Sequence, residues 1–296
     1  MAAPEGAADR AGAATSTNHW SPDMRDSDCV AFLQWALPRL QMRWPGFRKV
    51  RRTVCKRIDA RVQALGLADV AAYRTYLERT ADEWRMLDGL CGITISRFYR
   101  DHAVFAFLAD TVLPELARRA AARGEHELRA WSCGCASGEE PYTLAIAWTL
   151  CREVASAPPM RLRVVATDVD PAVLARARSA TYAASSLKDL PSGWCERAFE
   201  HSGDQYRLRP EFRRDVELLR QDVRTAWPDT TFHLVLCRNL VFTYFDESLQ
   251  RQILERILTR LVSAGVLVIG KGESLPQPDV RLTPWSAKLG IYRRAR

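Results

Sequence analysis

No stretch of this 296-residue chain approaches the ~18 consecutive apolar residues needed by a bilayer-crossing helix, so no membrane insertion is expected. The opening MAAPEGAADRAGAATSTNHW carries acids and no apolar block, unlike a secretory signal, which points to a cytoplasmic protein. Histidine is scarce. His19, His102, His126, His201 and His233 sit in unrelated contexts, and no Ser-His-Asp or Cys-His set emerges for nucleophilic catalysis. The eight cysteines form no paired CxxC sets of zinc-site spacing, so no metal is expected and the thiols are read as reduced. Cys133 and Cys135, spaced as CxC, read as core packing. No internal repeat appears. An Asn-Pro-Pro-Tyr-type segment and an aromatic-rich basic groove are both missing, which argues against nucleic acid as partner.

What is present is a globular composition, 47% hydrophobic, and a length that suggests two domains at roughly 100 to 200 residues each. A net charge of +8 favours acidic partners. Much of it is concentrated in FRKVRRTVCKRIDARV, Phe47 to Val62, where Val50, Val54, Ile58 and Val62 recur every four residues opposite a cationic stripe. Such a stripe is either a solvated helix face or a docking surface for an acidic partner.

Residues 1–25 have little to bury and read as a disordered tail. Residues 26–92 carry helical periodicity throughout. From 93 to 296 strands alternate with helices, the pattern of an α/β domain with a parallel sheet. Strands are expected at LRAWS, RLRVVATD, VELLRQD, FHLVLCRN and GVLVIG, with KLGIYRR closing the chain. Helices are expected at EEPYTLAIAWTLCREV, where Ser137 and Glu140 have capping-box spacing, at DPAVLARARSATY, capped by Asp170, and at DESLQRQILERILTRL. An insert at about 185–215 resembles a small β-appendage of two strands joined by a Ser-Gly-Asp turn.

The stretch RAWSCGCASGEEPYTLAI, from Arg129, runs from a strand through a glycine turn into a helix. A phosphate-cradling turn would carry lysine there, whereas this one carries Glu139 and Glu140. The ligand therefore offers donors or positive charge. The next strand ends in Asp168, where a carboxylate can accept both hydroxyls of a ribose. A ribosyl group with a cationic centre and no phosphate describes S-adenosyl-L-methionine.

Four segments then resemble the chemotaxis receptor methyltransferase (CheR) family: WSCGCASGEEPYTLAI, VVATDVDPAVLARARSATY, LVLCRNLVFTYFDESLQRQILERI, and GVLVIGKGESL before IYRR. The resemblance implies a Rossmann-like methyltransferase domain with an inserted β-subdomain, preceded by a small all-helical domain. It implies methyl transfer from S-adenosyl-L-methionine to a glutamate side chain of a receptor, an acidic helical bundle. Carried over by position, Thr94, Ser96 and Arg100 would contact the cofactor, Glu139 the methionine moiety or its surroundings, Asp168 the ribose, and Asp222 with Val223 the adenine. Arg238 and Asn239 would line the transfer site. Arg238 would orient the acceptor carboxylate and Tyr244 place its hydroxyl beside it.

Three positions depart from the family pattern. Thr94 stands where Asn is usual, Asp222 likewise, and one extra residue lies between Asn239 and Tyr244. His233 occupies a usual Asp position and is not expected to be functional. The short EHSGDQ connection resembles that of members that work without docking on a receptor tether. Transfer to a small molecule or another side chain on the same fold, and a non-catalytic cofactor-sensing module, are the alternatives.

Overall fold

The computed structural model describes residues 25–154 and 160–295, so the expected N-terminal tail lies almost wholly outside the described residues. Helices Asp26–Ala36, Arg51–Ala64, Val70–Arg79 and Ala81–Leu90 form the first layer, as their periodicity predicts. Val54, Ile58 and Val62 turn one face of Arg51–Ala64 into a core shared with Phe32, Leu33, Tyr73 and Leu77.

The opposite face is less free than its sequence implies. Arg61 pairs with Glu83 at 2.8 Å, and Glu83 also accepts from the Tyr73 hydroxyl. Arg57 donates to the carbonyls of Leu90 and Gly92, and Arg51 pairs with Asp26 at 2.9 Å. Arg48, Lys49 and Arg52 remain exposed.

The expectation of reduced thiols fails at one pair, because Cys29 and Cys55 form a disulfide between Asp26–Ala36 and Arg51–Ala64. Two helices packed face to face bring their Cα atoms to 6.0 Å, within disulfide reach, although the residues lie 26 apart in sequence. Reduction is expected to destabilise the protein by about 2–4 kcal/mol. Denaturation midpoints with and without dithiothreitol measure it, and Cys55→Ser should abolish the difference.

The second layer is a seven-stranded sheet. Its strands are β1 (Glu127–Cys133), β2 (Arg161–Asp168), β6 (Val216–Arg220), β7 (Phe232–Cys237), β8 (Leu261–Ile269), β9 (Leu282–Ser286) and β10 (Ile291–Arg294), in the order β6-β2-β1-β7-β8-β10-β9. The first five are parallel, and β10 runs antiparallel to both neighbours. β7 is buried along its whole length, as a central parallel strand flanked on both faces should be. From β1 the chain winds outward to β2 and β6, then returns to β7 and β8. The reversal lies between β1 and β7, where a crevice opens beyond the strands' carboxyl ends.

The appendage has three strands, not two. β3 (Thr181–Ala183) and β4 (Phe199–Ser202) flank β5 (Gln205–Leu208), and the β4–β5 turn is only Gly203 and Asp204, with Gly203 at φ +61°. The helix capped by Asp170 stops at Ser179, leaving the expected final residues of DPAVLARARSATY to β3. A helical run from His102 to Ala122, with a wide turn at Leu108–Val112, and edge strand β9 were not anticipated. His233 is structural. It is 1% exposed, its Nδ1 accepts the Arg129 N–H, and its Nε2 meets Glu125 at 2.7 Å. No helix among the described residues is long and apolar enough to cross a membrane.

Candidate active site

The turn after β1 is shaped by close approach. Gly134 lies at φ +76°, and a Cβ there would fall 2.5 Å from Leu240 Cδ2. Gly134 and Cys135 donate their N–H groups to the Thr167 carbonyl at 2.8 and 2.9 Å, which ties the turn to the end of β2. At that end the Asp168 carboxylate accepts the Ala136 N–H on one oxygen, 2.9 Å, and the Asp170 N–H on the other, 3.0 Å. Burial pushes its pKa above the usual carboxylate value, against the pull of those two N–H groups. Each oxygen keeps a lone pair for a ligand.

Asp168 faces a cavity of about 610 Å³, a volume in the roughly 300–1,000 Å³ range of small-ligand sites. Thr94, Ser96 and Arg100 form one wall, Asp222 and Val223 another, and Arg238 with Asn239 the end beyond β7. The structure thus gathers eight of the ten residues singled out in the sequence. Helix Ala81–Leu90 contributes Asp88 and Gly89 to the lining, so the N-terminal helical region and the sheet region both enclose the cavity.

Glu139 and Tyr244 do not line it. Glu139 lies 5% exposed behind Ser96, with one carboxylate oxygen unpaired, and burial raises its pKa. Its neighbour Glu140 lines the cavity instead. The helix starts at Glu139, and Ser137 accepts from Arg176. Glu140 accepts from Ser132 and Arg238, so its side chain is spent on the site and not on the expected capping box. Tyr244 packs its ring on Phe47, centroids 5.0 Å apart, and Phe245 takes its place on the wall. The residues before Tyr244 form the helical turn Val241–Tyr244, which is anchored by the Arg43 guanidinium on the Phe242 and Thr243 carbonyls. Burial raises the pKa of the Tyr244 phenol.

Arg238 is the most buried cation of the site. Its side chain is 2% exposed, with Nη1 on Glu140 at 2.9 Å and Nη2 on Asp101 at 2.6 Å and the Arg100 carbonyl at 3.3 Å. Both terminal nitrogens are therefore committed inside the protein. Nε is buried and without a partner, and one N–H of Nη1 is not engaged by these bonds. Arg100 is different. Its Nη1 donates to the Ile95 carbonyl, and no carboxylate among the described residues pairs with it.

Asn239 adopts φ +56°, and its N–H donates to Glu273, which also binds Gly270 N and the Thr243 hydroxyl. Asp222 is held by Arg224, whose guanidinium also forks onto Asp88. Asp88, Asp101, Glu140, Arg224 and Glu273 were not among the expected site residues. Glu140 alone carried a signal, its place beside Glu139. Adjacent helical residues point about 100° apart, so the pair promised one wall residue without saying which.

A nucleoside can be seated here without phosphates. Asp168 suits vicinal hydroxyls, the narrow glycine turn lets backbone approach, and acids replace the lysine of a phosphate loop. A Rossmann-like sheet with such a site at its point of reversal is that of an S-adenosyl-L-methionine-dependent methyltransferase. Residues 94–289 match the family described as CheR methyltransferase, SAM binding domain. The chain is 32% identical over 245 residues to the chemotaxis protein methyltransferase of Escherichia coli (strain K12), covering 79% of this chain and 80% of that one. It is 34% identical over 189 residues to the chemotaxis protein methyltransferase of Listeria innocua, covering 64% and 68%. It is also 34% identical over 244 residues to an uncharacterized 104.1 kDa protein of Rhodobacter capsulatus, covering 82% of this chain but only a quarter of that protein's length. The chain belongs to the CheR methyltransferase family, and its cofactor is S-adenosyl-L-methionine.

Proposed function

We propose that the protein methylates glutamate carboxylates of a chemoreceptor-like protein, acting in the cytoplasm. The observation that carries this reading is the match of residues 94–289 to the CheR methyltransferase family around a cavity lined by Arg100, a cation that pairs with no carboxylate among the described residues. A guanidinium in that state meets a carboxylate brought by a ligand. The bound cofactor supplies an activated methyl group on a sulfonium. A glutamate acceptor, whose side chain ordinarily titrates at ~4.3, is already ionised at neutral pH, so no general base is needed. None of the cavity-lining residues is a histidine. What the chain provides is seating and alignment in a shielded site, effects worth up to roughly 7–11 kcal/mol. Arg238 lines the end of that site, held by Glu140, and Tyr244 packs on Phe47.

Transfer of labelled methyl in host lysate tests the reading. The label should appear on an acidic protein and be released as methanol by mild base. A base-stable label, or label on a small molecule, overturns it. The exposed cations Arg48, Lys49 and Arg52 are the surface proposed to steer an acidic acceptor. Reversing the three to Glu should raise KM for the protein acceptor and flatten its salt dependence, with cofactor affinity unchanged.

A further inference from the structure

At the adenine end of the cavity, Asp222 does not stand alone. Its carboxylate accepts the Arg224 backbone N–H at 2.9 Å and the Arg224 guanidinium through Nε at 2.9 and 3.0 Å and through Nη2 at 2.7 Å. The outer edge of the same guanidinium forks onto Asp88, with Nη1 to Oδ1 at 2.8 Å and Nη2 to Oδ2 at 2.6 Å. Asp88 belongs to helix Ala81–Leu90 of the other domain, 136 residues from Arg224. All three side chains are between 21% and 25% exposed, and all three residues line the cavity. Arg224 is further fixed through its carbonyl, which accepts from Arg256 at 2.9 Å.

The arrangement answers a question of charge. A carboxylate at position 222, unlike an amide, needs a cation, and a long arginine beside it needs a second anchor to stay in one rotamer. Asp88 is that anchor. With both edges of the planar guanidinium engaged, Asp222 is held at one orientation with lone pairs left over. Being an acceptor only, it favours a purine with a 6-amino group over one with a 6-oxo group.

We propose that Asp88, acting through Arg224, is a positioning residue that sets Asp222 for recognition of the adenine 6-amino group. This rests on the assignment of the cavity to the cofactor. The helical domain, on this view, takes part in cofactor selection and not only in acceptor docking.

The test uses the full chain and calorimetry with two ligands, S-adenosylhomocysteine and its 6-oxo counterpart S-inosylhomocysteine. Asp88→Asn, nearly isosteric, should weaken the adenosyl ligand roughly tenfold and shrink its advantage over the inosyl ligand by a similar factor. KM for the cofactor should rise with kcat at saturation little changed. In an Asp222→Asn background the same change should add almost nothing. Arg224→Met should reproduce the loss of discrimination. A lowered melting temperature with an unchanged ratio between the two ligands overturns the proposal and leaves a clasp that merely joins domains. Additive effects of the Asp88 and Asp222 changes overturn it too. If Asp168→Ala also leaves binding intact, the cavity assignment itself has failed, and this proposal falls with it.

Discussion

Arg238→Ala should destabilise the protein by about 3–5 kcal/mol, because it strands two carboxylates around a buried gap. Glu140 and Asp101 face one guanidinium whose side chain is 2% exposed, while they are 14% and 30% exposed, so solvent replaces it only in part and the lower end of that range applies. The loss reaches further than charge. Tyr99 and Asp101 hold φ of +55° and +64°, a region that non-glycine residues occupy at a cost of order 1–3 kcal/mol each. Two bonds that Arg238 donates, to the Arg100 carbonyl and the Asp101 carboxylate, help hold that bend, which carries Arg100 to the cavity wall. Denaturant unfolding and cofactor titration together give the answer. The variant should lose stability, cofactor affinity and turnover at once. Arg238→Met combined with Asp101→Asn and Glu140→Gln should recover part of the stability, since no stranded charge remains. Normal stability and normal cofactor affinity with lost turnover would restore Arg238 to the acceptor-orienting role expected from its place in the CRN segment.

That difference shows which features the sequence made legible. Central strands such as β7 are contiguous apolar runs bounded by polar turns, and a pattern of that kind survives any tertiary context. Edge strand β9 does not. It pairs on one side only, tolerates Pro284, and has little apolar pattern to read. β3 is three residues long and continues a helical run without a break in composition. Charge partners were less legible still. The cationic stripe read as a free face, solvated or docking, because Asp26 and Glu83, which neutralise Arg51 and Arg61, lie 25 and 22 residues away. The Cys29–Cys55 disulfide has no spacing signature at all, being set by the crossing of two helices. Expected residues set by a motif, such as Asp168 and Arg100, do line the cavity. Those that act on other side chains, such as Asp88, Asp101 and Glu273, were not expected, because only packing brings them there.

Asp168→Asn should separate binding from stability most clearly. Two hydrogen bonds from ribose hydroxyls to a charged acceptor are worth roughly 1.5–3 kcal/mol each, so affinity for S-adenosylhomocysteine should fall at least tenfold, and by more if both are lost. An amide cannot substitute well, since one of its two ends is a donor facing an N–H from Ala136 or Asp170. Stability should change much less. Burial raises the folded-state pKa of Asp168 above its unfolded value, so folding favours the uncharged form and the ionised carboxylate costs stability at neutral pH. The folded state's preference for that proton is fully expressed below the unfolded pKa of about 3.8 and disappears as pH rises through the raised folded value. Removing the charge should therefore offset part of what the mismatched N–H costs, so the variant should melt close to the wild type at pH 7 while affinity falls. The same sign predicts that wild-type cofactor affinity falls on acidification before ordinary surface carboxylates protonate, and that the Asn variant's residual affinity lacks this dependence. Calorimetry across pH 4 to 8 on both proteins checks each point, and unchanged affinity in the variant at pH 7 would place the ribose elsewhere on the cavity wall.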